Sequence, residues 1–279
     1  IIPEIALIDV GASHFLHKKW IPAFQSLRTS IIAVDPNEWN LTYLESIKIP
    51  ARLVPFSNGL SRDGGLKTLF ITNVDTGSSL KSPSLSPMLF RRLGESLNNY
   101  LFPLREMQIP TETLETLVTE HNIDSPLFIK LDTQGSELEI LEGAERLFDS
   151  NQIVLVESEA SLLRETIYEN ATKLPELTEF MESNGFDLVD LQVIKSKEHN
   201  NKSRGILLEC DATFVMGFER ALQSKLEVRL AVLYAYLLIG QKDLAQRLLS
   251  VDDGLRQAVL DVLSHAELDF VLKNFRSIT

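Results

Sequence analysis

Cysteine is almost missing from this chain: Cys210 stands alone among 279 residues. One sulfur can form neither an internal disulfide nor a multi-thiolate metal site. Lying in the apolar stretch 205–218, it reads as core filler and suits a reducing compartment, so a cytoplasmic location is expected. Cations are scarce as well: 27 Lys and Arg stand against 39 Asp and Glu, a net charge of −12. Nucleic-acid backbones require clustered Lys and Arg, which argues against a nucleic-acid partner. Long apolar runs are absent too. The longest near the C-terminus, residues 230–239, is too short to span a bilayer. No leader is visible, and the chain opens at Ile1 without Met, so trimming of its start stays open. Only His14 of the five histidines lies beside a motif, and no metal site is expected.

What is present is an ordinary globular composition, 44% hydrophobic and 24% charged, able to build a core without staples. Short apolar runs at 5–10, 30–34 and 51–56 alternate with segments of helical length at 14–28 and 37–48. Strands alternating with helices imply parallel pairing, and unbroken Ile, Leu and Val suit strands buried on both faces. Residues 66–72 and 100–109 are predicted as further strands. The Ser-, Pro- and Gly-rich stretch 76–88 between them is predicted as a long binding loop or lid. Alternation resumes with a strand at 127–131, a helix at 136–148, a strand at 153–156 and a helix at 174–184. Runs 186–194 and 205–216 are joined too closely for a crossover helix, so they should form an antiparallel hairpin. A doubly wound, mostly parallel α/β sheet ending in such a hairpin resembles the class I methyltransferase fold. From residue 218 the pattern becomes helical: 226–239, 243–249, 254–264 and 267–275. The expected division is a domain at 1–217 and a helical appendage at 218–279, which either docks on the sheet or pairs with a second copy in a homodimer.

The first strand ends in Asp9-Val10-Gly11-Ala12-Ser13. Gly11 lets the backbone turn tightly, and the following helix start offers free amide donors. A dinucleotide turn needs G-x-G-x-x-G for its pyrophosphate, and here only Gly11 is present, preceded by an acid. A carboxylate at Asp9 repels pyrophosphate but suits the amino group of a methionine moiety. Asp35 closes the second strand, where an acid can accept both ribose hydroxyls. Ser57 and Asn58 close the third and could hold an adenine amino group. These residues point to S-adenosylmethionine.

A second motif, Lys130-Leu131-Asp132-Thr133-Gln134-Gly135-Ser136-Glu137, follows the strand at 127–131. Charges at the carboxyl end of a buried parallel strand are costly unless used. Ser136 with Glu139 reads as a capping box. Taken with Val34-Asp35-Pro36, Thr113 to Leu117, Ile129 to Gly143 and Val156-Glu157, the motifs resemble the FkbM family of S-adenosylmethionine-dependent methyltransferases over about residues 5–216. The resemblance implies methyl transfer to a hydroxyl of a sugar or secondary metabolite, a small-molecule or glycan acceptor. It implies Asp9, Gly11, Ala12, Asp35 and Asp132 at the cofactor, and Lys130, Asp132, Glu137 and Glu157 towards the reacting centre. Phe15 stands where the family often has a second glycine, Asp35 where Glu is commoner, and Glu115 where Asp is usual. Asp132 is the first candidate for base or acceptor orientation, Glu137 the second. The rivals are a non-catalytic scaffold working through its helical tail and a nicotinamide-linked oxidoreductase, which the missing glycines disfavour.

Overall fold

The computed structural model describes residues 3–13, 20–24, 28–46, 48–84, 101–195, 206–265, 268 and 272. Its strands are β1 (Ile5–Val10), β2 (Thr29–Val34), β3 (Arg52–Phe56), β4 (Gly59–Leu60), β5 (Gly65–Thr72), β6 (Pro103–Glu112), β7 (Leu127–Leu131), β8 (Ile153–Ser161), β9 (Phe186–Lys195) and β10 (Leu207–Met216). Its helices are α1 (Ile21–Phe24), α2 (Glu38–Ser46), α3 (Leu114–Glu120), α4 (Glu137–Glu142), α5 (Glu145–Asp149), α6 (Leu174–Ser183), α7 (Phe218–Leu222), α8 (Leu226–Leu238), α9 (Lys242–Val251) and α10 (Asp253–Leu260).

The main sheet has the order β3-β2-β1-β7-β8-β10-β9. The strands from β3 to β8 are parallel, and β10 lies antiparallel between β8 and β9. The predicted doubly wound sheet with a terminal hairpin is therefore the one observed. Every residue of β1 is buried, which is why that strand reads as an almost continuous apolar run. The predicted strands at 66–72 and 100–109 do not join this sheet. They form a separate ribbon in which β5 runs antiparallel to β6, with the short β4 parallel to β6 on its other side.

Two local expectations change. The predicted helix 136–148 is split into α4 and α5. At Gly143 an added Cβ would lie 2.5 Å from the Arg62 carbonyl oxygen, so the chain passes too close to the turn after β4 for a side chain to fit. The capping box does not form: Ser136 makes no side-chain cap bond, and Glu139 instead pairs with Lys81 at 2.5 Å. Thr113 does cap α3 by accepting from the Thr116 amide, while Glu115 accepts from the Arg146 amide at 2.6 Å and ties α3 to α5.

The C-terminal helices lie on the sheet. Residues 231–239, spanning most of α8, are all buried and belong to the same apolar core as β1, β7 and β8. Tyr234 stacks on Phe128 of β7 with ring centroids 6.0 Å apart. Arg220 of α7 donates to Asn151 Oδ1 and to the carbonyls of Asn184 and Phe148, closing the ends of α5 and α6. Arg229 grips both carboxylate oxygens of Asp252 at 2.8 and 2.7 Å, fixing α8 to the start of α10. Of the predicted helix 267–275, only residues 268 and 272 are described.

A core shared across Gly217 predicts one cooperative unfolding transition for the chain. Leu248→Ala, which empties a fully buried position on α9, should lower stability by about 2–5 kcal/mol without splitting that transition. Denaturant unfolding followed by circular dichroism and tryptophan fluorescence checks this; two separated transitions would show that the helices unfold on their own.

Candidate active site

A cavity of about 700 Å³ opens at the carboxyl ends of β1, β2 and β7, the place where open α/β sheets bind ligands. Its floor is Val10, Gly11, Ser13 and Val34; one end carries Asp35, Asn37 and Asn40, and the other Asp132, Thr133, Gln134 and Glu159. The ribbon of β5 and β6 forms the facing wall.

Gly11 has φ +78°, and a Cβ there would lie 1.9 Å from the Asp132 carbonyl oxygen. Only glycine permits this approach, which brings the ends of β1 and β7 together under the cavity. Asp35 is buried; its oxygens accept from the Asn37 amide at 2.7 Å and from Asn40 Nδ2 at 2.9 Å. Its carboxylate is thereby aimed, and it lines the cavity where it can accept from a ligand hydroxyl.

Several predicted residues sit elsewhere. Asp9 is 1% exposed and is not among the cavity's lining residues; one oxygen accepts from Lys130 Nζ at 3.2 Å. The lysine holds that oxygen, while the other, Oδ2, is buried with no hydrogen-bond partner among the described residues. Burial raises its pKa, partly offset by Lys130. For Lys130 itself, burial opposes the charge, but Asp9 and then Asp132 outweigh it and hold the ammonium above its ordinary range. Glu157 is also buried and is not among the lining residues, with Thr213 Oγ1 3.4 Å away. Ala12 packs with Ala33, Leu41 and Leu44. Ser57 is exposed outside the lining, and Asn58 donates to Glu112 Oε1 at 2.7 Å, linking the main sheet to β6.

Glu137 does not face the cavity either. It is 1% exposed, and its Oε1 accepts from the Thr133 amide, the Thr133 hydroxyl and the Gly135 amide at 2.9–3.0 Å. It clamps the turn that carries Asp132 and Gln134. Burial raises its pKa, opposed by those hydrogen bonds. The turn is strained enough to need holding: Gln134 has φ +59° and Gly135 φ +119°.

Of the expected acids, Asp35 and Asp132 line the cavity. The sequence reading missed a third, Glu159. The Gln134 side-chain amide donates to Asp132 Oδ1 and to Glu159 Oε2, both at 3.0 Å, so one residue joins two carboxylates. Burial first, then Asp132, Glu209, Glu137 and Asp211, hold the Glu159 pKa well above the usual carboxylate range. Strand alternation was the available signal, because Glu159 lies two residues beyond Glu157 and so on the same face.

The stretch predicted as a lid is part of the wall as far as it is described. Ser79 is buried, and its hydroxyl donates to the carbonyls of Thr133 and Gln134 at 3.1 and 2.9 Å. Tyr168 Oη donates to the Gly77 carbonyl at 2.7 Å. Residues 85–88 of the expected lid, together with His14 and Phe15, lie outside the described residues. Among the described residues no group of three or more His, Cys, Asp or Glu could hold a metal ion, and no helix is long and apolar enough to cross a membrane.

The donor set fits S-adenosylmethionine better than a dinucleotide. It offers an aimed acid for a ribose and a glycine turn, and among the described residues Arg105 is the only Lys or Arg on the lining. The sheet order, the antiparallel β10 and a nucleoside cavity at the strand ends define a class I methyltransferase fold. The chain belongs to the FkbM methyltransferase family: the model of the methyltransferase FkbM domain matches residues 9–188. It is thus a methyltransferase whose methyl donor is S-adenosylmethionine. Among solved structures, M. jannaschii TYW2 in complex with AdoMet matches at 15% identity, covering 77% of this chain and 71% of that one, with a TM-score of 0.28. No curated protein matches the chain.

The acid cluster predicts a pH response. Burial, then Glu137, Asp132 and Asp211, push Glu209 from an ordinary 4.5 up to about 7. The folded state therefore keeps a proton that the unfolded chain releases, and stability should fall as pH rises from about 4.5 to about 7. Glu209→Gln should flatten that fall relative to the parent in denaturant midpoints measured across the same range. Parallel curves for the two proteins would remove Glu209 as the cause.

Proposed function

We propose that the protein methylates a hydroxyl oxygen of a small acceptor, a sugar or a secondary metabolite, with Glu159 taking the hydroxyl proton. The observation carrying this reading is the Asp132–Gln134–Glu159 bridge at the cavity end opposite Asp35. S-adenosylmethionine supplies the methyl carbon, which breaks from sulfur as it bonds to the acceptor oxygen. The chain's own residues bind, aim and deprotonate. Asp35 accepts from the ribose, and the Gly11 turn lets the methionine moiety approach the backbone. Asp132 is committed to Lys130 at 3.5 Å and to Gln134, which suits it to orienting the acceptor. Glu159 gives one oxygen to Gln134, and burial raises its affinity for a proton.

The single buried cysteine favours a cytoplasmic setting. A homodimer through the C-terminal helices would have to use what docking leaves exposed, chiefly Leu222, Val251 and Val262. The same docking leaves little tail surface for a purely scaffolding role.

In calorimetry, S-adenosylhomocysteine should bind and NAD should not. Asp35→Ala should weaken S-adenosylhomocysteine by about ten- to a hundredfold, the loss of charged hydrogen bonds worth roughly 1.5–3 kcal/mol. Unchanged affinity would remove Asp35 from the site. With an acceptor found by mass spectrometry as an oxygen gaining one CH₂ unit, Glu159→Gln should cut kcat by about 10²–10⁴ and leave S-adenosylhomocysteine affinity nearly intact. A loss confined to Asp132→Asn would return the base role to Asp132.

A further inference from the structure

The ribbon opposite the acids is two-faced. Side chains alternate along a strand, and the ones turned to the cavity are Leu69 and Ile71 of β5 with Arg105, Met107 and Ile109 of β6. Register sets Leu69 opposite Met107 and Ile71 opposite Arg105. On the other face Gln108 donates to Thr68 at 2.7 Å, an ordinary polar cross-strand pair. The part of this face that lines the cavity is therefore an apolar wall with one guanidinium at its end; Lys67, opposite Ile109 on the same face, is paired with Asp63 at 2.6 Å and is not among the lining residues.

That end has a defined place. Ile109 is next to the pairing of Thr111 with Gly59, on the side where Leu60 also lines the cavity. Arg105 lies four residues along β6, roughly 13 Å away at the strand rise. There Phe70 bridges to Ser79, whose hydroxyl holds the turn carrying Gln134. The guanidinium thus stands at the motif end of the cavity, across from Asp132 and Glu159. Arg105 is exposed, and it makes no hydrogen bond or ion pair among the described residues.

We propose that the acceptor is an amphiphilic hydroxy acid: a carboxylate paired with Arg105, a hydroxyl close to that carboxylate turned across the cavity to Glu159, and an apolar body running from there over Ile71, Met107 and Leu69. The inference rests on the methyl-transfer reading and narrows it. A polyol laid on this wall would give up water without gaining hydrogen bonds, which is unfavourable. Among the described lining residues an anion at the Asp35 end would meet a carboxylate and no Lys or Arg. The Arg105 end alone offers apolar contact and charge together, and a planar guanidinium matches a carboxylate in two parallel bonds.

The test is calorimetry on the whole chain, with and without S-adenosylhomocysteine, using 3-hydroxydodecanoate, the corresponding neutral 1,3-diol, and glucuronate. The hydroxy acid should bind at least tenfold more tightly than the diol, and glucuronate far more weakly than either. Arg105→Gln should erase the preference for the acid while S-adenosylhomocysteine binds as before. Glucuronate binding as tightly as the hydroxy acid, no preference for the acid over the diol, or a preference surviving Arg105→Gln would each overturn the proposal. So would an equal loss of S-adenosylhomocysteine affinity in Arg105→Gln, which would assign the guanidinium to the cofactor's carboxylate. If the hydroxy acid binds through Arg105 but S-adenosylhomocysteine never does, the methyl-transfer reading falls and the anion site stands.

Discussion

Lys130 puts an ammonium on the middle strand of a sheet covered on both faces, and the neighbouring strands are arranged around it. Register sets Asp9 of β1 directly beside Lys130 and Glu157 of β8 on its other side. Thr213 of β10 then stands beside Glu157. A row of side chains therefore crosses four strands as acid, base, acid and hydroxyl. A buried charge without a partner costs several kcal/mol, so β1, β7 and β8 have a strong reason to keep this register and no other. A slip of one residue would bring an apolar side chain to the ammonium and send the acids to the opposite face.

One pleat nearer the carboxyl ends, the same geometry yields a second row with a different fate. Gly11, Asp132, Glu159 and Asp211 succeed Asp9, Lys130, Glu157 and Thr213 along their strands, and Asp211 pairs directly with Glu159. This row contains no lysine of its own, although Asp132 reaches back to Lys130 at 3.5 Å. Burial and the neighbouring like charges raise the proton affinity of Glu159, and Gln134 donates its side-chain amide to both acids. The inner row makes a stable sheet, and the outer row makes a reactive edge.

The separation of these rows explains what could be read in the sequence and what could not. Asp9, Gly11, Asp35, Lys130, Asp132 and Glu157 stand out in a linear reading because polar residues at the ends of apolar runs are conspicuous. The parallel direction of the main strands and the terminal hairpin followed from run length and spacing, while the strand order did not. Which acids meet the cavity depended on register between strands distant in sequence, and nothing in a single chain reveals that. Asp9 and Glu157, expected at the ligand, lie off the cavity lining and on either side of Lys130 in register. Glu159 passed unnoticed because it sits inside a run taken to end at Val156, whereas β8 continues to Ser161. Ser136 and Glu139 have the spacing of a capping box, but Lys81 and the fold of the Thr133–Gly135 turn claim their surroundings. The ribbon was legible as two strands and illegible as a cavity wall, since alternation marks an apolar face without naming what it faces.

A consequence concerns how substitutions in the two rows should be weighed. Removing Lys130 leaves Asp9 and Glu157 buried without their cation, a loss of about 3–5 kcal/mol for breaking a buried pair. Such a change depletes the folded protein, and lost turnover would follow whether or not Lys130 meets the acceptor. Removing Glu159 leaves Asp132 with Lys130 and with one Gln134 bond, so the sheet keeps its compensation. Gln134 should behave as a positioning residue between these limits: its strained φ is maintained by Glu137 and Ser79, and its side chain sets the distance between the two acids. The residues whose loss is most damaging are thus the ones one pleat behind the chemistry, and the size of an effect is a poor guide to which carboxylate meets the acceptor.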